Sequence, residues 1–166
     1  MPEECRKEQR SNNIHNYVTV TSTPVIDFKR YGTWLKLKRV TAYVFRAVNL
    51  FKSKSRSTGN ELNVEELKRA EVFWYMNIQQ EAYKDEYALL KAGNSASSQS
   101  RLLKLDPYLD QADGIIKVGG RLQSSCLPET VKHPIILPHG NPIVELIIID
   151  IHNSLLHAGP VCTVKY

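Results

Sequence analysis

The stretch "NVEELKRAEVFWYMNIQQEAY" (Asn63–Tyr83) carries a long helical pattern in this chain of 166 residues. Asn63 can cap a helix, and Glu66 three residues later completes a capping box. Gly93 is a residue type that commonly ends a helix. Apolar residues between these ends recur at spacings of three and four and share one face: Val64, Leu67, Ala70, Trp74, Ile78, Ala82 and Leu89. The pattern predicts one amphipathic helix from Asn63 to about Gly93.

A second helical pattern precedes this stretch, from Trp34 to about Lys54. Its apolar residues form a single stripe: Leu37, Val40, Tyr43, Val44, Ala47, Val48 and Phe51. The turn-forming segment "SKSRSTGNE" (Ser53–Glu61) separates the two patterns. Because neither helix can bury its stripe alone, the two predict a helical hairpin over residues 34–92. Residues 1–33 are predicted to be a poorly ordered linker.

After a predicted flexible hinge of small polar residues at 93–100, the pattern changes to extended segments. An Asp-Gly turn at Asp113–Gly114, the β-prone run Ile115–Val118 and a Gly-Gly turn before Arg121–Leu122 predict a β-hairpin or small meander. The segment "KHPIILP" (Lys132–Pro138), bracketed by prolines, predicts an edge strand.

The C-terminal region predicts one more helix, from Pro142 to about Leu156. Asn141 is its cap, Pro142 its first residue and Gly159 a stop. The run of three isoleucines at 147–149 leaves a strand as the alternative. The predicted fold class is therefore α+β: a helical hairpin, a small β-hairpin or meander, and a C-terminal helix.

The composition is that of a soluble globular protein, with 42% hydrophobic and 23% charged residues. No apolar run approaches the roughly 20 residues of a membrane-spanning helix, and the N-terminus lacks the apolar core of a signal peptide. These features predict a cytoplasmic or nuclear chain with no membrane partner. Three scattered cysteines, Cys5, Cys126 and Cys162, do not form a disulfide framework, and the first two are interpreted as free thiols.

The net charge of +5 is unevenly distributed. Residues 1–60 carry 12 Lys and Arg against 4 Asp and Glu, and residues 61–166 carry 10 against 13. A basic N-terminal half could bind phosphate backbones through counterion release. A solvated basic face that binds nothing in particular is the competing interpretation, and charge alone favours it because no aromatic-rich surface accompanies the basic residues.

Two histidines near the C-terminus, His152 and His157, stand at a spacing found in zinc sites. In an unbroken helix five residues rotate two side chains about 140° apart, so both reach one ion only if the helix ends between them. Gly159 and Pro160 favour such an end. Cys162 is the only nearby thiol, and spacing alone favours ordinary core or surface histidines over a metal site. The same interpretation holds for His15, His133 and His139.

Several strings together resemble polyproteins of BEL/Pao-type LTR retrotransposons. They are "YGTWLKLKRVTAYVFRAV", "ELNVEELKRAEVFWYMNIQQEAY", "LLKLDPYLDQADGIIKVGGRL", "KHPIILP" and "IHNSLLHAGP". These five motifs keep the family's order and approximate spacing from about Pro24 to Tyr166. The chain is similar to the region between RNase H and the catalytic core of the integrase, and "HNSLLHAG" resembles the His half of the integrase His-His-Cys-Cys zinc site.

The resemblance implies that His152 and His157 are zinc ligands, that Cys162 packs rather than ligates, and that the two cysteine ligands lie downstream of Tyr166. Residues 101–166 would then be the integrase N-terminal extension and an incomplete zinc-binding domain. The family's catalytic residues are absent, so the chain is expected to be a non-catalytic fragment of the polyprotein. In the intact protein this Zn²⁺ domain engages DNA ends and other integrase subunits. With two of four ligands, this chain is not expected to hold Zn²⁺ stably.

Two alternatives use the same residues differently. One is a helical interaction or scaffold module that binds nucleic acid non-specifically through its basic N-terminal half. The other is a small metallohydrolase that uses His152, His157 and a carboxylate such as Asp150. A catalytic zinc needs three protein ligands, and Asp150 lies on a different helix face from His152, so this alternative is the weakest. No phosphate-binding loop, nucleophile elbow or His-Glu-x-x-His motif occurs.

Overall fold

The computed structural model describes residues 26–53, 61–120 and 132–155. Over these ranges the chain is α+β, as predicted, with a two-stranded antiparallel sheet. Its helices are α1 (Trp34–Ser53), α2 (Val64–Ala82), α3 (Lys84–Lys91) and α4 (Pro142–Ser154). Its strands are β1 (Pro107–Leu109) and β2 (Ile116–Val118). None of the helices in the described ranges is both long and apolar enough to cross a membrane.

Helices α1 and α2 pack antiparallel and form a helical hairpin. Arg46, in the second half of α1, bonds to Glu66 in the first turn of α2. Trp34, the first residue of α1, lies instead against Tyr75 in the second half of α2, with ring centroids 6.1 Å apart. The order of these two contacts shows that the chain reverses direction between the helices.

A buried polar contact joins the middle of the two helices. The indole Nε1 of Trp74 donates to the Thr41 hydroxyl at 2.9 Å, and this hydroxyl donates to the Leu37 carbonyl at 2.9 Å. Thr41 and Leu37 are fully buried. The Thr41 hydroxyl therefore satisfies a buried indole N–H that has no access to water.

The buried face of α1 departs from the predicted stripe in its C-terminal half. Leu37 is buried as expected, but Tyr43 and Val48 are largely exposed and Phe51 is 88% exposed. Because Arg46 already lies beside the first turn of α2, Val48 and Phe51 extend past the start of α2. The Tyr43 ring lies before this point, beside the Arg46 guanidinium. The stripe was therefore wrong at these positions: helical periodicity identifies a face but does not show how far the partner helix reaches.

The predicted ends of the second helical segment are confirmed by its hydrogen bonds. At the start, the Glu66 carboxylate accepts from the backbone N–H of Asn63 at 2.8 Å, which completes the capping box with the Asn63 side chain. At the other end, Gly93 has φ +80°. Its N–H bonds to the Leu90 carbonyl at 3.1 Å, and the next N–H reaches the Leu89 carbonyl at 3.0 Å. This is a Schellman ending.

Between these ends the predicted single helix is broken at Tyr83, where φ is −125° and ψ is 45°. The break separates α2 from α3, and it coincides with a change in what each helix covers. Ile78 of α2 is buried in one hydrophobic cluster, whereas Tyr87 and Leu90 of α3 are buried in another. The prediction of one continuous helix was wrong because no glycine or proline marks the change.

The two clusters divide the core. The helical cluster joins α1, α2 and α4, and its buried residues are Ile26, Trp34, Leu37, Trp74, Ile78, Ile143, Val144 and Ile147. The sheet cluster lies between α3 and the sheet, and its buried residues are Tyr87, Leu90, Leu102, Ile116 and Ile136. Ile26, within the predicted linker 1–33, thus packs on the helices, while residues 1–25 lie outside the described residues. The predicted boundaries at 93–100 remain predictions.

The predicted Asp-Gly turn lies in the loop that joins β1 to β2. β1 pairs antiparallel with β2 in the register Tyr108↔Lys117, and the loop closes through Asp110, whose carbonyl accepts from the N–H of Gly114 at 2.7 Å. Gly114 has φ +68°, a conformation that glycine adopts without strain. After β2, a Cβ on Gly119 would lie 2.3 Å from a backbone oxygen, so only glycine fits there. Arg121–Leu122 lies outside the described residues.

The predicted strand at Lys132–Pro138 is reduced to a single bridge between Ile135 and Lys117. In a regular antiparallel ladder, Ile116 and Ile136 would exchange two backbone hydrogen bonds. One is present, from Ile136 N–H to the Ile116 carbonyl at 3.2 Å. The Gln79 carboxamide replaces the other: it accepts from Ile116 N–H at 2.7 Å and donates to the Ile136 carbonyl at 2.7 Å. Gln79 therefore opens the ladder and limits the strand.

Candidate functional site

The start of α4 is built as the sequence predicted. The Asn141 carboxamide oxygen accepts from the N–H of Ile143 at 2.9 Å, and Pro142 occupies the first turn. Ile143 and Ile147 are buried in the helical cluster. The cap fixes where α4 begins, and the apolar face fixes which side of α4 packs against α1. Together they position the last turn of the helix.

α4 ends at Ser154, so the helix stops between positions 152 and 157. The Leu155 N–H closes the last turn on the Ile151 carbonyl at 3.0 Å, and the Ser154 hydroxyl donates to the same carbonyl at 2.7 Å. His152 is half-buried in this last turn. This is the helix end that two imidazoles need if they are to share one ion.

The structure describes His152 but not the other residues of the predicted site. His157 and Cys162 lie outside the described residues, as do Cys5, Cys126 and His15. Among the residues that are described, no three His, Cys, Asp or Glu side chains are grouped closely enough to hold a metal ion. His152 is compatible with a metal site through its place at the helix end, because the C-terminus of a helix favours a cation.

The remaining described histidines are placed differently. The His133 Nδ1 lies 3.1 Å from the Val118 carbonyl, and since a carbonyl only accepts, this nitrogen carries the proton. The His133 ring meets the Tyr108 ring edge to face, with centroids 5.3 Å apart. His133 thus joins the 132–138 segment to the β-hairpin. His139 is exposed on a turn.

Asp150, the carboxylate of the metallohydrolase alternative, lies on another side of α4 from His152. It lines a cleft of about 30 Å³ with Trp34 and Leu146. Two residues along a helix correspond to a rotation of about 200°, which separates Asp150 from His152. The cleft has room for about one water molecule and is too small for a substrate.

Some basic side chains of α1 form ion pairs with acidic side chains of α2 inside the helical hairpin. The Arg46 guanidinium donates to both carboxylate oxygens of Glu66, at 2.8 Å for the Nε bond. These hydrogen bonds lower the pKa of Glu66 to about 2, against an opposing effect of burial. The Lys38 ammonium lies 3.8 Å from the Glu71 carboxylate. Two of the basic residues on α1 therefore bind acids of α2.

Other perturbed titratable groups also belong to contacts that support the fold. Burial raises the pKa of Tyr75, as does its Glu71 neighbour. For Lys117, burial lowers the pKa and is the largest single effect, but the hydrogen bonds and charges of Asp110 and Asp113 together outweigh it and raise the pKa. Lys117 therefore stays charged and ties β2 to the hairpin loop.

Two features of the described residues were not singled out from the sequence. Gln79 is fully buried and bonds to backbone on two segments. The only signal for it is a glutamine beside Ile78 within an apolar helix face.

The second feature is a groove of about 310 Å³ between the turn after α3 and the outer edge of β1, which includes Gly93 and Leu109. It lies between the segments 90–96 and 103–109, and no pattern within either segment indicates how the two are placed.

The chain was compared with known protein families, curated proteins and solved structures. No known protein family, no curated protein and no solved structure matches the chain. The resemblance to BEL/Pao polyproteins therefore remains a prediction from the residues.

Proposed function

We propose that this chain is a non-catalytic segment of a BEL/Pao-type LTR retrotransposon polyprotein, lying between the RNase H region and the integrase core. Five motifs in the family's order support the proposal. Residues 101–166 would contain the start of the integrase zinc-binding domain. In the full polyprotein this region would act in DNA integration, with element DNA ends and other integrase subunits as partners, in the nucleus or cytoplasm.

His152 and His157 would supply the imidazole half of the zinc site. The observation that carries this assignment is the end of α4 at Ser154, between the two histidines. Zn²⁺ in such a domain is structural, fixing its ligands in a tetrahedron. Two imidazoles alone leave two positions to water, so we expect weak binding by this chain and tight binding by a longer chain that adds a downstream Cys-x2-Cys.

The test is a zinc titration against a chromophoric chelator. We expect weak binding by the unmodified chain, and a loss of affinity of about tenfold or more in His152→Ala and in His157→Ala. His139→Ala is the matched control, because this histidine is exposed and outside the proposed site. Unchanged affinity in both site variants, or equal losses in all three, would contradict the assignment.

A helical module that binds nucleic acid is the second candidate, and exposure of two basic residues favours it. Lys36 and Arg39 lie one turn apart on α1 and are exposed. The expected result is binding to arbitrary duplex DNA that weakens with salt. Lys36→Glu with Arg39→Glu should reduce the salt slope, whereas the control pair Lys84→Glu with Lys91→Glu, equal in charge change, should reduce it less. No binding at low salt would exclude this candidate.

A further inference from the structure

The outer edge of β1 presents backbone groups with no partner in the sheet. In the β-hairpin, Asp106 and Asp110 direct their backbone towards β2: Gly119 N–H donates to the Asp106 carbonyl at 2.9 Å, and Asp110 N–H donates to the Ile115 carbonyl at 2.9 Å. Alternate residues of a strand direct these groups to opposite sides. The first and third residues after Asp106 therefore face away from β2, whereas the second faces it.

Those residues are Pro107 and Leu109. The N–H and carbonyl of Leu109 and the carbonyl of Pro107 point outward, and within the described part of the chain none of the three has a hydrogen-bond partner. Pro107 has no N–H to offer. The edge thus presents one donor and two acceptors, the set that an added strand would pair with across Leu109.

This edge lines the groove of about 310 Å³ described above. Leu90 and Leu103 contribute apolar wall, and Leu103 is 46% exposed. Asn94 adds a polar side chain at the turn after α3. A peptide strand paired with β1 would form backbone hydrogen bonds with Leu109 and Pro107. Its alternate side chains would contact the apolar surface of the groove.

The exposed basic residues that neighbour the groove lining in the sequence favour an acidic occupant. Lys91 and Lys104 directly follow the lining residues Leu90 and Leu103, and both lysines are exposed. Arg101, also exposed, lies three residues before Lys104. Asp106 is the acid among the lining residues, and Asp110, which follows the lining residue Leu109, is paired with Lys117. A peptide that carries carboxylates is therefore attracted more than one that carries ammonium groups.

We propose that this groove binds an extended acidic peptide segment of another protein, which adds as a strand to the outer edge of β1. The peptide residue opposite Leu109 exchanges two backbone hydrogen bonds with it, and alternate side chains pack against Leu90 and Leu103. The interaction is independent of zinc and of the proposed integrase role.

The probe is a capped peptide of alternating glutamate and valine, titrated into the ¹⁵N-labelled chain at low salt. We expect the Leu109 amide to shift and its hydrogen exchange to slow, while the Tyr108 amide, already bonded to β2, changes little. An alternating lysine and valine peptide should bind about tenfold or more weakly. N-methylation of alternate peptide amides should abolish binding in one pattern and spare it in the other, because only one set of amides faces the edge.

Two protein variants separate the groove from general surface effects. Leu103→Glu places a carboxylate in the groove and should weaken binding about tenfold or more. Leu105→Glu is the control: Leu105 is 42% exposed, comparable to Leu103, and does not line the groove. The proposal is overturned if the acidic peptide does not bind, if both variants bind equally, or if both N-methylation patterns behave alike. Full protection of the Leu109 amide without peptide would also overturn it, since the edge would then be already covered.

Discussion

Replacing Gln79 by leucine tests whether one buried carboxamide holds the helices to the sheet. The Gln79 side chain makes three hydrogen bonds to backbone, at 2.7–2.8 Å. In Gln79→Leu the Ile116 carbonyl keeps its bond from Ile136 N–H. The Ile116 N–H and the Ile136 carbonyl are left buried and unpaired. Each such group costs about 1–3 kcal/mol, so we expect the free energy of unfolding to fall by about 2–6 kcal/mol.

The assay is urea denaturation followed by tryptophan fluorescence. Trp34 and Trp74, the two tryptophans of the chain, are each 2% exposed, so unfolding changes the environment of both. Gln80→Leu is the matched control, because it makes the same change at the next residue of α2, which is half-buried. We expect that control to stay within about 0.5 kcal/mol of the unmodified protein.

Gln79→Glu adds a check on the direction of the hydrogen bonds. The new carboxylate would face the carbonyls of Ile116 and Ile136 where the amide donated, so burial and these oxygens would raise its pKa above the unfolded value of about 4.3. A carboxyl with a raised folded-state pKa loses stability as pH rises. The variant should therefore be closest to the unmodified protein near about pH 4 and furthest near about pH 7. A Gln79→Leu effect as small as that of Gln80→Leu, or no pH dependence in Gln79→Glu, would refute this account.

Three further changes have distinct expected outcomes. Thr41→Val leaves the buried Trp74 N–H unpaired and should cost about 1–3 kcal/mol of unfolding free energy in urea. Glu66→Gln removes the group whose pKa Arg46 lowers to about 2 from 4.5. A carboxylate with a lowered folded-state pKa stabilises the folded protein at pH above its unfolded pKa. The unmodified protein should therefore lose stability as pH falls from 4.5 towards 2. The variant should lose less, as measured by urea denaturation across that pH range. Asn141→Ala removes the α4 cap and should cost about 1 kcal/mol in the same urea assay.

Matched controls distinguish these mechanisms from general effects of substitution. Thr41→Ser keeps a hydroxyl for the indole and should lose less than the valine variant. Glu65→Gln, one residue before Glu66 and exposed, should retain the acid-dependent loss. Asn153→Ala changes an exposed asparagine at the other end of α4 and should cost less than loss of the cap. Equal effects of each control and its partner would contradict the stated mechanism.

The sequence alone determined where most of the helices begin and end. The Asn63 capping box, the Gly93 ending and the Asn141 cap are each made by groups within five residues of one another along the chain. The Asp-Gly turn before β2 is similarly local. Such interactions depend on side-chain chemistry and nearby backbone, so residue type and spacing were enough to predict them.

Only the tertiary structure decided which of the predicted faces are buried and how far the strands extend. Phe51 belongs to the apolar stripe of α1 yet is 88% exposed, because it lies beyond the first turn of the partner helix α2. Gln79 bonds to carbonyls 37 and 57 residues further along the chain. These bonds interrupt the pairing of the segment Lys132–Pro138, which was predicted to be a strand and forms a single bridge. These outcomes depend on contacts between distant segments. Helical and strand periodicity reports the face of one element but carries no information about which element covers it.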